Sequence, residues 1–218
     1  MLNKINFKSL YSSGESDSPI SFFTDALSNS ISFDLGLGFF SSASFNVLSI
    51  GFAKFISNGG KMRLYINQYL SEEDYEIFTS HPDIVENKVI DSFTSMLNVL
   101  TKRDKQFFNC LSYLIYTNRI EVKIVIPNSG GIAHQKFGIF TDAAKNKVSF
   151  IGSLNLTASA LLSKNIESIS CNSSWKGAAE TINDYQQLFD KYFSGDKEGI
   201  TVCLLYTSPS PRDRSLSR

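Results

Sequence analysis

The chain has 218 residues, 42% hydrophobic and 19% charged, enough for one sizeable core and too little for several. Lysine plus arginine and aspartate plus glutamate each number 21, which excludes a protein that holds polyanions by bulk positive charge. A mean hydropathy of −0.08, 13% aromatic residues and only 5 prolines exclude a disordered chain, and Ser, Asn and Gly break every apolar run short of membrane-spanning length.

Met1 to Ser9 carries Lys4 and Lys8 with no apolar stretch behind them, so no secretory signal is expected. Cys110, Cys171 and Cys203 are irregularly spaced. They make no disulfide framework and suit a reducing, cytoplasmic setting. Ser18-Pro19 ahead of Phe22, Phe23, Ala26 and Leu27 predicts a helix start. From Phe33 to Phe40, the residues Phe33, Leu35, Leu37 and Phe39 share a face, with Gly36 and Gly38 between the later ones. This predicts a buried strand that another group approaches closely. Ser41, Ser42 and Ser44 offer N-caps to a helix bearing Phe45, Leu48, Phe52 and Phe55, ending at Gly59-Gly60. Met62 to Ile66 reads as the next strand, and a strand–helix–strand unit implies parallel pairing.

Leu70 to Arg119 is helical in pattern, with an acidic first turn at Ser71 to Asp74, a stripe of Val89, Phe93, Met96, Leu97 and Leu100, and a second stripe from Phe107 to Tyr116. Ile120 to Ile126 alternates as a strand. His134 to Phe140 and Lys147 to Gly152 predict two more strands around the turn-rich Asp142 to Asn146. Ile166 to Cys171 predicts another strand and Ala178 to Phe193 a closing helix. Interleaved strands and helices make this an α/β layered domain, a mixed sheet flanked by helices.

Two histidines are present. His81 precedes Pro82 in a polar connection and is expected at the surface. His134 opens His134-Gln135-Lys136, where the strand period of two puts imidazole and ammonium on one face and Gln135 on the other. Ser153 and Asn155 share a face in the same way after Gly152. If the two strands pair as a hairpin, these polar pairs converge, and Gly152 lets a ligand approach the backbone. Glu167 can hydrogen-bond an imidazole and fix its tautomer. His, Lys, Ser and Asn with one carboxylate form a poor metal-ligand set but suit a phosphodiester. Lys and Asn donate to the non-bridging oxygens while His attacks phosphorus.

These residues resemble the motif of the phospholipase D superfamily, His-x-Lys, then an acidic residue, then Gly-Ser-x-Asn. Here it stands as HQKFGIFTDAAKNKVSFIGSLNLT, His134 to Thr157. The upstream GFFSSASFNVLSIGFAKFISNGGKMRLYIN, from Gly38, resembles the strand–helix–strand that precedes the motif in the superfamily's bacterial nucleases. With Ile166 to Phe193 the resemblance covers about residues 33–193. It implies a phospholipase D-like fold and a metal-independent, cofactor-free hydrolysis in two steps. His134 would form a phosphohistidine, and a second histidine would protonate the leaving oxygen and then activate water. Lys136 and Asn155 would stabilise the non-bridging oxygens, Ser153 would assist, and Glu167 would orient His134. The motif's acidic position falls at Thr141, with Asp142 one residue late.

A single motif in the chain implies a homodimer that builds one site across a two-fold axis; a second motif beyond the end of this sequence is the alternative. Nucleic acid is the implied substrate, with no membrane partner. Phe33 to Asn67 also resembles nuclease-like domains fused to superfamily 2 helicases in bacterial restriction and defence proteins, so a helicase region is expected further on. A catalytically inactive DNA-binding or dimerisation module and a phospholipid-acting enzyme are the other readings.

From Cys203 the composition shifts abruptly, and Cys203 to Asp213 resembles the in-frame translation of a transposon-based sequencing adapter. Residues 203–218 are therefore expected to be non-native and 1–202 to be the domain. The tail holds Arg212, Arg214 and Arg218 against Asp213, so without it the net charge is −2.

Overall fold

Phe33, Leu35 and Leu37 are at most 1% exposed and lie mid-sheet in the computed structural model, which describes residues 1–41, 43–67, 105–131, 133–162 and 164–204. Their strand is β2 (Ser32–Leu37), preceded by β1 (Leu10–Ser12) and α1 (Pro19–Ser28). After it come α2 (Ala43–Val47), α3 (Ser49–Ser57), β3 (Lys61–Ile66), α4 (Lys105–Tyr116) and β4 (Ile120–Pro127). Then follow β5 (Phe137–Thr141), β6 (Lys147–Gly152), α5 (Ala158–Leu161), β7 (Ser168–Ser173), α6 (Ala179–Ser194) and β8 (Ile200–Leu204).

The strands form one sheet in the order β1-β7-β6-β5-β2-β3-β4-β8. As the strand–helix–strand pattern required, β2 and β3 are parallel, and β4 continues the parallel block. β5 joins β2 antiparallel and forms an antiparallel hairpin with β6, which β7 and β1 extend. Apolar residues of α1, α3 and α4 cover one face, burying Phe22, Phe23, Phe52, Phe55, Leu111 and Leu114 against the strands. On the other face α6 lays Phe189 and Phe193 over Tyr65, Val125 and Phe137. This is the expected mixed sheet between helical layers.

One buried ion pair ties α6 to the middle of the sheet. Asp34, 4% exposed, faces Arg63 across the β2–β3 register and takes its Nε at 2.7 Å and its Nη2 at 2.6 Å. Gln186 Nε2 on α6 donates to the same carboxylate at 2.7 Å, and Arg63 also reaches Asp190. A bidentate pair with a further donor leaves the buried carboxylate fully partnered.

Local structure departs from the sequence pattern in several places. The helix expected through Phe45 and Phe55 is two helices abutting at Leu48, whose backbone (φ −95, ψ 17) leaves the helical region. Leu48 N–H still bonds Ser44 C=O and Phe52 N–H bonds Leu48 C=O, so the apolar stripe runs on unbroken. Ser44, expected as a cap, is buried inside α2. The last sheet strand before the closing helix starts at Ser168, two residues later than expected. Neither β1 nor β8 was legible, because each is a short edge strand whose ladder is made by backbone groups. Cys203 and Leu204 pair with Ile124 and Lys123, so the adapter-like segment begins inside β8. The helices expected between Leu70 and Asp104, with His81, lie outside the described residues. No helix among the described residues is long and apolar enough to cross a membrane.

Candidate active site

The sheet register brings the motif residues to one end of the fold. Gly36 near the end of β2 pairs with Phe137 at the start of β5, Phe137 with Ile151 near the end of β6, and Gly152 with Ile169 near the start of β7. His134–Lys136, Ser153–Asn155 and Glu167 therefore all leave the sheet on the same side. The expected strand from His134 begins only at Phe137. Gly36–Phe137 is the last β2–β5 pair, and the chain of β2 bends at Gly38, so residues before Phe137 have no ladder partner there.

His134 and Lys136 are nonetheless adjacent. Lys136 Nζ lies 3.1 Å from Nε2 and 3.3 Å from Nδ1 of His134 and donates to its carbonyl at 3.1 Å. Lys136 is 6% exposed, whereas His134 is exposed. Burial pushes the Lys136 ammonium below the usual lysine range, and the Glu167 charge partly opposes that shift. The result is a shielded cation beside an accessible imidazole.

The other side chains are held by separate partners. Asn155 Oδ1 accepts Phe39 N–H at 3.1 Å. The segment that makes this contact runs alongside it, with a parallel Phe40–Leu156 bridge and Ser41 N–H on Leu156 C=O at 3.1 Å. Because a backbone N–H requires an acceptor, the amide is oriented with Nδ2 as its free, donating end. Replacing Asn155 with Asp keeps the acceptor for Phe39 but removes the donor and adds a negative charge. Phosphodiester turnover of N155D is expected to drop about 10²-fold or more with little change in melting temperature, which kinetics and thermal unfolding together check.

Ser153 Oγ donates to the Glu167 carboxylate and accepts Ser168 N–H at 3.3 Å. Glu167 was expected to orient His134. The chain instead delivers it just before β7, which pairs with β6, so its neighbour is Ser153. Among the described residues no bond joins Glu167 to His134, and its reach toward the His134–Lys136 pair is electrostatic, through Lys136.

Two further expectations are corrected. A Cβ on Gly152 would lie 2.2 Å from Ser168 C=O and 2.9 Å from Ile169 Cα, so this glycine admits the β7 backbone rather than a ligand. Asp142 sits in the turn at the opposite end of β5, about 20 Å of extended chain from Lys136. It is 1% exposed and accepts N–H groups of Leu2, Ala144 and Asn146 and the Asn146 amide, each at 2.9 Å. Asp142 is a turn-forming carboxylate that the fold does not bring beside His134 and Lys136.

The structure also adds contacts that the sequence only hinted at. Gly38 is where His134 comes close, its imaginary Cβ being 3.5 Å from His134 Cδ2 and 3.3 Å from Ala133 C=O. Phe39, expected on the buried face of β2, is 46% exposed beyond the strand end, and its N–H holds Asn155. The alternating glycines from Gly36 were the available signal. Among the described residues no three His, Cys, Asp or Glu side chains are grouped as a metal site.

The family model described as "Cardiolipin synthase, PLD-like domain" matches residues 65–193. Among solved structures the chain is similar to NucT from Helicobacter pylori, with 16% identity and TM-score 0.47 over 80% of this chain and 87% of that one. It is similar to the phospholipase D family member Nuc from Salmonella typhimurium, with 13% identity and TM-score 0.49 over 84% and 93%. It is also similar in fold to a phosphatidylserine synthase from Haemophilus influenzae Rd KW20, with 10% identity and TM-score 0.50 over 89% of this chain and 39% of that one. No curated protein matches by sequence. With a family match spanning more than half its length and the motif from His134 to Glu167 inside it, the chain belongs to the phospholipase D superfamily.

Proposed function

We propose that the chain is a phosphodiesterase that hydrolyses nucleic acid through a covalent intermediate on His134, with no metal. The observation that carries this reading is the buried Lys136 ammonium bonded to the exposed His134 ring. A ring nitrogen of His134 attacks phosphorus while Lys136 and Asn155 Nδ2 donate to the non-bridging oxygens. The P–O bond breaks and the leaving oxygen takes a proton from a second histidine. That histidine, now neutral, takes a proton from water; the hydroxide attacks phosphorus, the P–N bond breaks and His134 is released. Ser153 and Glu167 buttress the site beside Lys136.

The second histidine is assigned to the His134 of a second copy, in an isologous dimer with the site at its two-fold axis. Nucleic acid is assigned as substrate from the single-motif resemblance to bacterial nucleases. A native domain of residues 1–202, a cytoplasmic location and a following helicase region belong to the same reading. A phosphatidyl substrate is the second reading, favoured by the description of the matching family model.

The test is to offer the protein a labelled oligonucleotide and, separately, phosphatidylglycerol vesicles, both in excess EDTA. Oligonucleotide cleavage undiminished by EDTA is expected. Strict dependence on a divalent cation overturns the mechanism, turnover of lipid alone favours the second reading, and no turnover of either favours an inactive binding module.

A further inference from the structure

We propose that the buried Tyr65 and the half-buried Gln135 form a strut that aims the His134 and Lys136 side chains; this rests on the reading of that pair as the reacting groups. Because His134–Lys136 precedes the β5 ladder, its backbone is tied to the sheet through Gly152 N–H on Lys136 C=O at 3.1 Å. The middle residue supplies a second tie. Gln135 Oε1 accepts the Tyr65 hydroxyl at 3.2 Å. In an extended segment neighbouring side chains point to opposite sides, so holding Gln135 down on the Tyr65 side sends residues 134 and 136 the other way.

The anchor is rigid. Tyr65 on β3 is 0% exposed, with its ring 5.3 Å from Phe189, 5.4 Å from Tyr192 and 6.4 Å from Phe137. Burial, with Tyr192 adding to it, pushes the phenol well above the usual range, so the hydroxyl remains a donor at every working pH. The fold also clears space for it. On the adjoining strand β2, a Cβ at Gly36 would lie 2.4 Å from both Cζ and the hydroxyl oxygen of Tyr65. The strand thus omits a side chain at the place where the phenol tip must pass. A 3.2 Å contact is long for a hydroxyl donor, so its loss costs the fold little and acts mainly on aim.

Tyr65→Phe removes only the hydroxyl, and Gln135→Met removes the side-chain amide that carries the acceptor. Each is expected to lower kcat about tenfold with KM and melting temperature nearly unchanged, and the double variant to lose no more than either alone. With two histidines in the chain, the His134 ring signals are assigned by their absence in His134→Ala. In Tyr65→Phe these signals are expected to shift. A wild-type kcat, additive losses in the double variant, or unmoved His134 signals each overturn the strut. If the wild-type protein cleaves nothing, the phosphodiesterase reading fails, and the ring signals still decide whether Tyr65 positions His134.

Discussion

Replacing His134 with alanine is expected to lower phosphodiester cleavage by roughly 10⁴-fold or more while the protein stays folded. The ring is exposed and lies against Lys136 Nζ, with Gly38 leaving open space beside it, so deletion opens no core cavity. Lys136 keeps its bond to the residue 134 carbonyl, which alanine also supplies. What disappears is the proposed nucleophile, leaving direct attack by water under the same donors. Turnover and thermal unfolding measured together check this. A cleavage rate within tenfold of the wild type removes His134 from the mechanism.

The largest stability effect is expected far from the chemistry, at Asp142. Its carboxylate receives three backbone N–H groups and a side-chain amide in a position 1% exposed. Truncation to alanine strands the N–H groups of Leu2, Ala144 and Asn146. A loss of about 1–3 kcal/mol in unfolding free energy follows, chiefly from the buried Leu2 N–H, because the Ala144 and Asn146 N–H groups are only part-buried and can turn to water. Burial alone pushes the Asp142 carboxyl up, but the bonds from Asn146, Leu2 and Ala144 outweigh it and hold the group below the usual range. A carboxyl depressed in the folded state stabilises the protein above its unfolded pKa, and that contribution is lost as pH falls through the folded value. The gap in urea stability between wild type and Asp142→Ala should therefore be full at pH 7 and shrink in acid. Activity per folded molecule should be preserved, which separates Asp142 from the acidic residue of the motif.

The fold was legible where one short-range pattern dominates. β6 from Lys147 to Gly152 matched its expected bounds at both ends, and the closing helix came within a residue of its pattern. The parallel β2–β3 unit followed from connectivity alone. Residues whose role depends on a partner distant in sequence were not legible. His134 and Lys136 share a side as expected, yet the strand that was to align them starts after them, and their alignment comes from Tyr65 and Gly152. Glu167 was expected beside His134, but register gives it to Ser153. Gly36 and Gly38 announced a close approach, and only the tertiary fold shows that Tyr65 meets one and His134 the other. Asp142 lay one position from the motif's acid, and its four bonds, one of them from Leu2 at the other end of the chain, explain why it serves the turn instead.

The most direct test is to look for the covalent intermediate. The protein is mixed with an end-labelled oligonucleotide in EDTA and quenched in alkaline denaturant, where a phosphorus–nitrogen bond to histidine survives. The labelled peptide is then mapped by mass spectrometry. A nucleotidyl group on His134, absent from His134→Ala, is the expected result. A label on any other residue, or single-turnover cleavage that leaves no adduct and requires a divalent cation, would contradict it.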